Sequence, residues 1–194
     1  MGESGSGKTT SLRNLNPETT FYIDCDKKGL SWKGWRKQYN KDNKNYLRTD
    51  DKDAVMEMLA KLNLDNGTLA GIQKRRGKNP EILSDKAKET LSKFDTVVID
   101  TLNGIMVADE VRRMKEKGYD KWVDLAQCVW EILNYINAMR DDITVIVLCH
   151  SQTQKEDDGY TFTRIKTSGK KLDKLNIESK LTTVLYATAN NGEY

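Results

Sequence analysis

The sequence contains few cysteines and no long apolar stretch. Its three cysteines, Cys25, Cys128 and Cys149, are odd in number, have no CxxC spacing and lie among apolar residues. This pattern predicts buried free thiols rather than a disulfide framework or a zinc site. No stretch approaches the roughly 18 consecutive apolar residues of a membrane helix, and no apolar signal region follows Met1. We therefore expect a soluble cytoplasmic protein with no membrane partner.

The charge of the chain is nearly balanced. Lysine and arginine number 32 against 29 aspartate and glutamate residues, for a formal net charge of +3. The field of the whole molecule is too weak to hold a polyanion, so a nucleic-acid site would need a local cluster of basic residues. A length of 194 residues suits one α/β domain and is too short for two typical domains. We predict a single domain over residues 1–194.

Strand and helix signals alternate along the chain. A short strand is predicted at Thr20–Asp24. A continuous β-branched run at Thr96–Asp100 has the profile of a strand buried in a parallel sheet, and another buried strand is predicted at 143–149. Apolar residues at helical spacing predict helices over 51–64 and 119–140. This alternation predicts an α/β fold with a mostly parallel, doubly wound sheet flanked by helices.

Four weaker segments complete the prediction. A helix is expected to begin at Lys8 and to end before Pro17, because an Asn-Pro pair breaks helices. Residues 65–88 are polar and are predicted to form a loop followed by a helix. Residues 151–169 are predicted to be a polar, mobile segment, and a last strand is expected near 182–187.

The first residues form a glycine-rich loop that ends in lysine and threonine. The motif GxxxxGK[ST] is matched completely by Gly2, Glu3, Ser4, Gly5, Ser6, Gly7, Lys8 and Thr9, and Thr10 continues the predicted nucleotide contacts. Glycines permit positive φ, so that backbone N–H groups converge on phosphates. Lys8 is predicted to reach the β and γ phosphates, and Thr9 to offer its hydroxyl to Mg²⁺. The alternative is a glycine-rich turn that only joins a strand to a helix.

Only Met1 precedes this loop, whereas the fold normally has a buried strand there. We therefore expect the domain to lack its first strand, and its C-terminal end is a further candidate for a missing part. Without that strand the sheet loses a neighbour and the loop its anchor. We expect low stability or weak nucleotide affinity for these residues alone.

Acidic residues end two of the predicted strands. Asp100 falls at the carboxyl edge of the sheet, where ligands bind in such folds, and is expected to hold the Mg²⁺ shell through water. The alternative for Asp100 is an N-cap of the next helix. Asp24 and Asp26 reach the same edge, and hydrolysis needs a second group that polarises the attacking water. We prefer Asp26 for that role over the alternative of a plain turn carboxylate.

The only histidine also follows a predicted strand. His150 and Gln152 come directly after the strand at 143–149, at the same edge of the sheet. A lone histidine is more often structural, whereas this position suits a sensor of the γ-phosphate. Both interpretations stay open on the residues alone.

Together these segments resemble the RecA-type ATPase core, and more closely the phage AAA-domain nucleotide-binding proteins related to Sak-type single-strand annealing proteins. Residues 2–10 resemble Walker A, 21–26 the strand that delivers the catalytic acid, 97–101 Walker B, and 147–151 the strand that ends in the sensor residue. The resemblance covers nearly the whole chain and implies a RecA-like ATPase that uses ATP and Mg²⁺. The implied catalytic residues are Lys8, Asp26, Asp100 and His150, with Thr9 and Asp100 at the metal.

Two positions depart from the family pattern. Asp26 is one methylene shorter than the usual glutamate, and His150 replaces an amide that is often glutamine. Both changes affect residues implied in hydrolysis, so the resemblance leaves the hydrolysis rate open.

The resemblance also implies DNA-contacting loops after the sensor strand. Residues 151–173 carry basic residues beside Tyr160 and Phe162, and such a mixture neutralises phosphates and stacks on unpaired bases. The candidate residues are Lys155, Arg164, Lys166, Lys170 and Lys171. The alternative is an exposed hairpin with solvated charges, because residues 156–158 are acidic. A second basic-aromatic stretch, 27–41, is either a nucleic-acid or subunit surface or a flap whose tryptophans cover the core.

By this resemblance the protein is an ATPase of phage recombination or replication that acts on single-stranded DNA in a phage-infected or lysogenic bacterial host. It implies a head-to-tail homo-oligomer, a ring or filament, with ATP near the subunit boundaries. The alternative is a nucleotide-dependent switch or loader that contacts a protein partner and hydrolyses ATP slowly or not at all. A small-molecule kinase is less favoured, because no arginine-rich lid is visible.

Overall fold

A parallel sheet forms the centre of the molecule. A computed structural model of the chain describes residues 1–118, 120–155, 159–168 and 176–189. The strands of this sheet are β1 (Thr20–Asp24), β2 (Tyr46–Arg48), β3 (Thr96–Asp100) and β4 (Thr144–Leu148). Their order is β2-β1-β3-β4, and each neighbouring pair is parallel. The predicted α/β fold with a parallel sheet is therefore confirmed.

Helices and a hairpin surround this sheet. The helices are α1 (Lys8–Ser11), α2 (Trp35–Gln38), α3 (Lys52–Leu62), α4 (Asn66–Arg75), α5 (Asp85–Ser92), α6 (Leu102–Arg112), α7 (Asp120–Asn137) and the short 3-10 helix Ile177–Lys180. Strands β5 (Ser151–Lys155) and β6 (Thr161–Ile165) pair in an antiparallel hairpin. None of the described helices has the length and apolar content that a membrane crossing requires.

The two faces of the sheet carry separate apolar clusters, because side chains alternate along each strand. Ile23 and Ile99 face the larger cluster, which α3, α4, α6 and α7 cover. Tyr22 and Val98 face the smaller cluster on the other side. The segment 27–41 covers that second face, as the core-covering alternative proposed. Its tryptophans, Trp32 and Trp35, pack against Tyr39 and Tyr46 with ring centroids 6.2 and 5.3 Å apart.

The strong periodic segments agree with the prediction. The strands at Thr20–Asp24 and Thr96–Asp100 have the predicted bounds, and the strand predicted at 143–149 is β4. Helices predicted over 51–64 and 119–140 correspond to α3 and α7. The three cysteines are free and buried, as expected.

Four weaker predictions differ from the structure. Helix α1 ends at Ser11 and continues as turns, with the Leu12 N–H bonded to the Thr9 carbonyl oxygen. Within 65–88 the helix α4 comes first and was not predicted, and the predicted loop and helix, α5, follow it. The segment 151–169 contains the β5–β6 hairpin, because its alternating residues pair across two strands. Residues 182–187 form no strand within the described chain and contribute only an isolated bridge at Ala187.

Candidate functional site

The glycine-rich loop begins beside the end of β4. The Gly2 N–H donates to the Cys149 carbonyl oxygen at 3.1 Å, and the Ser151 N–H donates to the Gly2 carbonyl oxygen at 3.0 Å. On its other side Gly2 forms a parallel bridge with Ala187. The loop therefore starts at the carboxyl edge of the sheet, the edge at which β1, β3 and β4 end.

The loop encloses the ammonium group of its own lysine. Gly5 and Gly7 have φ of 82° and 80°, the left-handed conformation that favours glycine. Lys8 is 8% exposed, and its Nζ donates to the carbonyl oxygens of Gly2 at 2.8 Å and Glu3 at 2.6 Å. Burial lowers the pKa of Lys8. Carbonyl dipoles compensate this buried cation only in part, so an anion at the loop would be attracted to it.

Asp100 is hydrogen-bonded to the loop from β3. The Thr9 hydroxyl donates to Asp100 Oδ2 at 2.8 Å across 91 positions of sequence, and the Tyr22 hydroxyl donates to the same oxygen at 2.6 Å. Burial raises the pKa of Asp100, against the effect of the two hydrogen bonds. The N-cap of α6 is Thr101, so the alternative of Asp100 as the helix cap was wrong. The Asp100–Thr101 peptide bond is cis.

This arrangement fits a Mg²⁺ ion. The second carboxylate oxygen of Asp100, Oδ1, is buried and has no hydrogen-bond partner among the described residues. It lies on the same carboxylate that contacts the Thr9 hydroxyl, and Mg²⁺ prefers such oxygen ligands. The described ranges contain no group of three or more His, Cys, Asp or Glu side chains suited to a metal. Mg²⁺ would therefore need phosphate oxygens and water to complete its shell.

The two aspartates after β1 differ in their surroundings. Asp24 is buried and accepts hydrogen bonds from the Tyr46 hydroxyl at 2.6 Å and the Gly29 N–H at 2.8 Å, so its contacts stabilise the turn. The Asp26 side chain is 18% exposed. Its Oδ1 accepts from the Thr101 hydroxyl at 2.9 Å, and its Oδ2 lies 2.6 Å from Lys28 Nζ. Of the two, Asp26 is the carboxylate that solvent can reach.

His150 is tied to α6 and to the hairpin through its backbone. The His150 N–H donates to Asn103 Oδ1 at 2.7 Å, and Asn103 Nδ2 donates to the Lys166 carbonyl oxygen at 2.7 Å. The Lys166 N–H donates to the His150 carbonyl oxygen at 2.7 Å. Burial, and then the positive charge of Lys8, lower the pKa of His150. The imidazole is therefore neutral at pH 7.

An open cleft of about 670 Å³ lies beside these residues. Its wall includes Asp26, which follows β1, and His150, which follows β4, together with part of α6. The lining side chains nearest the chemistry are those of Asp26, Lys28, Asn103, Val107 and His150. The predicted residues thus form two neighbouring groups: Lys8, Thr9 and Asp100 joined by contacts of the loop, and Asp26 and His150 on the cleft. Thr101 connects the groups, because it follows Asp100 and donates to Asp26.

Several residues at this site were missed from the sequence. The resemblance covers Tyr22 in the segment 21–26 and Thr101 in the segment 97–101 but gives neither a role, and only the pairing of β1 with β3 brings their hydroxyls to carboxylates. Gly104 had a detectable signal, since glycine inside a helix often marks a close approach. A Cβ there would lie 2.7 Å from Asp26 Oδ1 and from the Cys25 carbonyl oxygen.

The structure describes only part of the predicted nucleic-acid surface. Lys155 is exposed on β5, Lys166 is exposed after β6, and the candidates Lys170 and Lys171 lie outside the described residues. Arg164 donates to Gln154 Oε1 at 2.7 Å, and its guanidinium lies 5.3 Å from the Phe162 ring centroid. Arg164 and Phe162 therefore share one face of the hairpin, whereas Lys155 pairs with Thr161 and lies on the other face.

Comparison with known proteins gave one match. A family model described as AAA domain matches residues 1–193. The match includes the glycine-rich loop and all four strands whose ends form the site. No curated protein and no solved structure is significantly similar to the chain.

Proposed function

The chain belongs to the AAA-domain family, and from this premise we propose that it binds ATP with Mg²⁺ and hydrolyses it at the carboxyl edge of its sheet. Family membership itself indicates a nucleotide-binding protein of the P-loop ATPase type. The observation that carries the site is the contact between the Thr9 hydroxyl and Asp100, which leaves a buried carboxylate oxygen without a partner.

Each side chain would have a distinct part in this reaction. Lys8 would exchange two carbonyl contacts for phosphate oxygens, which carry formal charge and form stronger hydrogen bonds. Thr9 and Asp100 would hold Mg²⁺, and bound Mg²⁺ neutralises charge on the phosphates. Asp26 would orient the attacking water and accept its proton, because it is the partly exposed carboxylate on the cleft. His150, neutral at pH 7, would donate a hydrogen bond to the terminal phosphate.

Replacement of Lys8 tests nucleotide binding. We expect Lys8→Ala to lose at least about tenfold in affinity for MgATP, since charge-assisted hydrogen bonds to phosphate are removed. Isothermal titration calorimetry measures this directly. Lys74→Ala removes an exposed lysine of α4 and should bind as the wild type does. A folded wild-type chain that shows no heat of binding with MgATP would refute the proposal.

Replacement of Asp26 separates binding from hydrolysis. We expect Asp26→Asn to retain MgATP affinity and to lose about 10²-fold or more in turnover, because an amide cannot accept the proton. Radiolabelled ATP turnover, measured beside calorimetry on the same preparation, provides both values. Turnover at the wild-type rate would exclude Asp26 as the base.

We also propose that the ATPase acts on single-stranded DNA, in phage recombination or replication in the bacterial cytoplasm, as a head-to-tail homo-oligomer. The position of the hairpin supports this, since β5 begins directly after His150, β6 carries Arg164 and Phe162 on one face, and Lys155 is exposed on β5. The backbone hydrogen bond from the Lys166 N–H to the His150 carbonyl oxygen would link the hairpin to the nucleotide. Nucleotide state would then be transmitted to the DNA-binding surface.

A nucleotide-dependent switch that contacts a protein is the second candidate. Large apolar side chains of α6 and its end favour it: Val107, Val111 and Met114 are 53%, 57% and 68% exposed. Such exposure is typical of protein interfaces when the residues are adjacent. This candidate predicts MgATP binding with negligible turnover.

Binding of oligo-dT distinguishes the two candidates. The DNA proposal predicts salt-sensitive binding by fluorescence anisotropy, reduced in Lys155→Ala and Lys166→Ala and unchanged in Lys74→Ala. Size-exclusion chromatography with light scattering, in MgATP and in MgADP, tests assembly. No detectable oligo-dT binding in low salt with MgATP would exclude the DNA role and leave the switch.

A further inference from the structure

The carboxylate assigned to water activation is already paired with a cation. Lys28 Nζ lies 2.6 Å from Asp26 Oδ2, while Asp26 Oδ1 accepts the Thr101 hydroxyl. Although burial opposes its charge, the hydrogen bond and negative charge of Asp26 raise the pKa of Lys28. The raised pKa of Lys28 favours its charged ammonium form. A carboxylate with both oxygens engaged in this way is a poor base for a water molecule.

The ammonium of Lys28 faces the same space as the other groups of the site. The Lys28 side chain is 54% exposed and lines the cleft with Asp26 and His150. Its charge also acts on the loop: burial lowers the pKa of Lys8 first, and the nearby Lys28 lowers it further. The positive charges of Lys8 and Lys28 thus repel one another, and a bound anion would reduce this repulsion.

The neighbouring lysine has a different arrangement. Lys27 Nζ lies 2.7 Å from Asp50 Oδ2, and Asp50 also pairs with Arg112 of α6. This cluster of three charged residues connects the turn after β1 to α6. The Gly29 N–H donates to buried Asp24 at 2.8 Å and holds the backbone on the other side of Lys28. The backbone of Lys28 is held on both sides, whereas its long side chain is exposed and flexible.

We propose that Lys28 is a second phosphate-binding cation. When ATP binds, the Lys28 ammonium group would move from Asp26 to the terminal phosphate, so that Asp26 is free to polarise water. This inference rests on the proposed ATPase function. A γ-phosphate carries more negative charge than one carboxylate and attracts the ammonium more strongly. ADP has no γ-phosphate, so Lys28 stays on Asp26. Lys28 would therefore distinguish the triphosphate from the diphosphate and activate the base only when a triphosphate is bound.

The test compares affinities for two ligands rather than activity. Calorimetry with Mg²⁺-AMP-PNP, a non-hydrolysable triphosphate, and with MgADP measures the preference of each variant. We expect Lys28→Met to lose about tenfold of the preference for the triphosphate while its MgADP affinity stays unchanged. Lys28→Arg, which keeps the charge, should retain most of that preference. Lys33→Met, at an exposed position of the same segment 27–41, is the matched control and should leave the ratio of affinities unchanged.

The possible failures are distinct. If Lys28→Met binds the triphosphate as well as the wild type, or more tightly, Lys28 is only the ion-pair partner of Asp26 and the inference is wrong. If the wild-type chain is folded by circular dichroism and binds neither nucleotide, the proposed function fails, and this inference fails with it. Because Lys28 is exposed, the variants are expected to fold, and their circular dichroism spectra check this.

Discussion

At the residue scale, the geometry of Asp26 depends on Gly104, because this position has no side chain. Gly104 in α6 lies so close to the end of β1 that a Cβ would stand 2.7 Å from Asp26 Oδ1. The Thr101 hydroxyl, at the N-cap of α6, donates to Asp26 Oδ1 at 2.9 Å and connects the start of α6 to the end of β1. Both the carboxylate and the backbone of Cys25 would have to move if Gly104 were replaced.

We therefore expect Gly104→Ala to lower ATP turnover about tenfold or more, because small displacements of catalytic groups are costly. The same substitution normally stabilises a helix by up to about 1 kcal/mol. Gly71→Ala in α4 is the matched control, since a Cβ at Gly71 meets no atom within 4 Å. ATP turnover and urea unfolding, measured for both variants, separate the effect on the site from the effect on helix stability. Equal turnover in the two variants would show that the close approach does not matter.

At the element scale, ionic contacts hold α4 against α3. Glu57 of α3 lies 2.8 Å from Lys78 Nζ and accepts a weaker hydrogen bond from Gln73 Nε2 at 3.4 Å. The Asp65 side chain caps α4 by accepting from the Thr68 N–H. The Asp65 cap, the contacts of Glu57 and the burial of Leu69 and Ile72 beside α3 thus stabilise a helix in a polar segment whose composition predicts a loop.

The Glu57 contacts predict a pH-dependent stability. Burial opposes ionisation, but hydrogen bonds from Lys78 and Gln73 prevail and lower the pKa of Glu57 below its usual 4.5. A lowered carboxyl pKa contributes stability above the unfolded pKa, and the contribution disappears as pH falls through the folded pKa. We expect Glu57→Gln to cost about 1 kcal/mol at pH 7 and nothing once the wild-type carboxyl is protonated.

Urea unfolding at pH 7 and at successively lower pH below 4.5 measures this difference. Glu89→Gln, at an exposed position of α5, is the control and should change stability little at either pH. A Glu57→Gln deficit that persists at acid pH would show that packing, not charge, holds α4 on α3.

At the scale of the whole molecule, the N-terminal residues join distant parts of the chain. The Ala187 N–H donates to the Met1 carbonyl oxygen at 2.8 Å, while Gly2 pairs with the end of β4 on its other side. The glycine-rich loop, which would bind phosphate, is thus attached to the sheet through few backbone contacts. Low stability of the chain without nucleotide stays a prediction.

We expect MgATP to raise the melting temperature. Ligand at about 100 times its dissociation constant stabilises by about 2.7 kcal/mol, which for a domain of this size corresponds to roughly 5–10 °C. Differential scanning fluorimetry with and without MgATP measures the shift, and Lys8→Ala should show a smaller shift at the same ligand concentration. High ligand-free stability with no shift would contradict both the weak attachment and the nucleotide site.

Local sequence determined much of this protein. The strands β1 and β3 were predictable with their bounds, because buried parallel strands are short runs rich in β-branched and aromatic residues whatever their partners. The glycine-rich loop and Asp100 were predictable as neighbours, since motif and strand end each imply the same sheet edge. Polar segments were not predictable in this way: α4 depends on Asp65 and Glu57 contacts, and the β5–β6 hairpin on cross-strand pairing.

Tertiary structure decided which polar groups meet. Only the register of β1 against β3 places the Tyr22 hydroxyl on Asp100, and only the close approach of α6 explains Gly104. The different partners of the adjacent Lys27 and Lys28 have no sequence signal, because both are lysines in one polar turn. Motifs report the local backbone and the chemical type of a residue, whereas hydrogen-bond partners depend on the distances between elements that folding brings together.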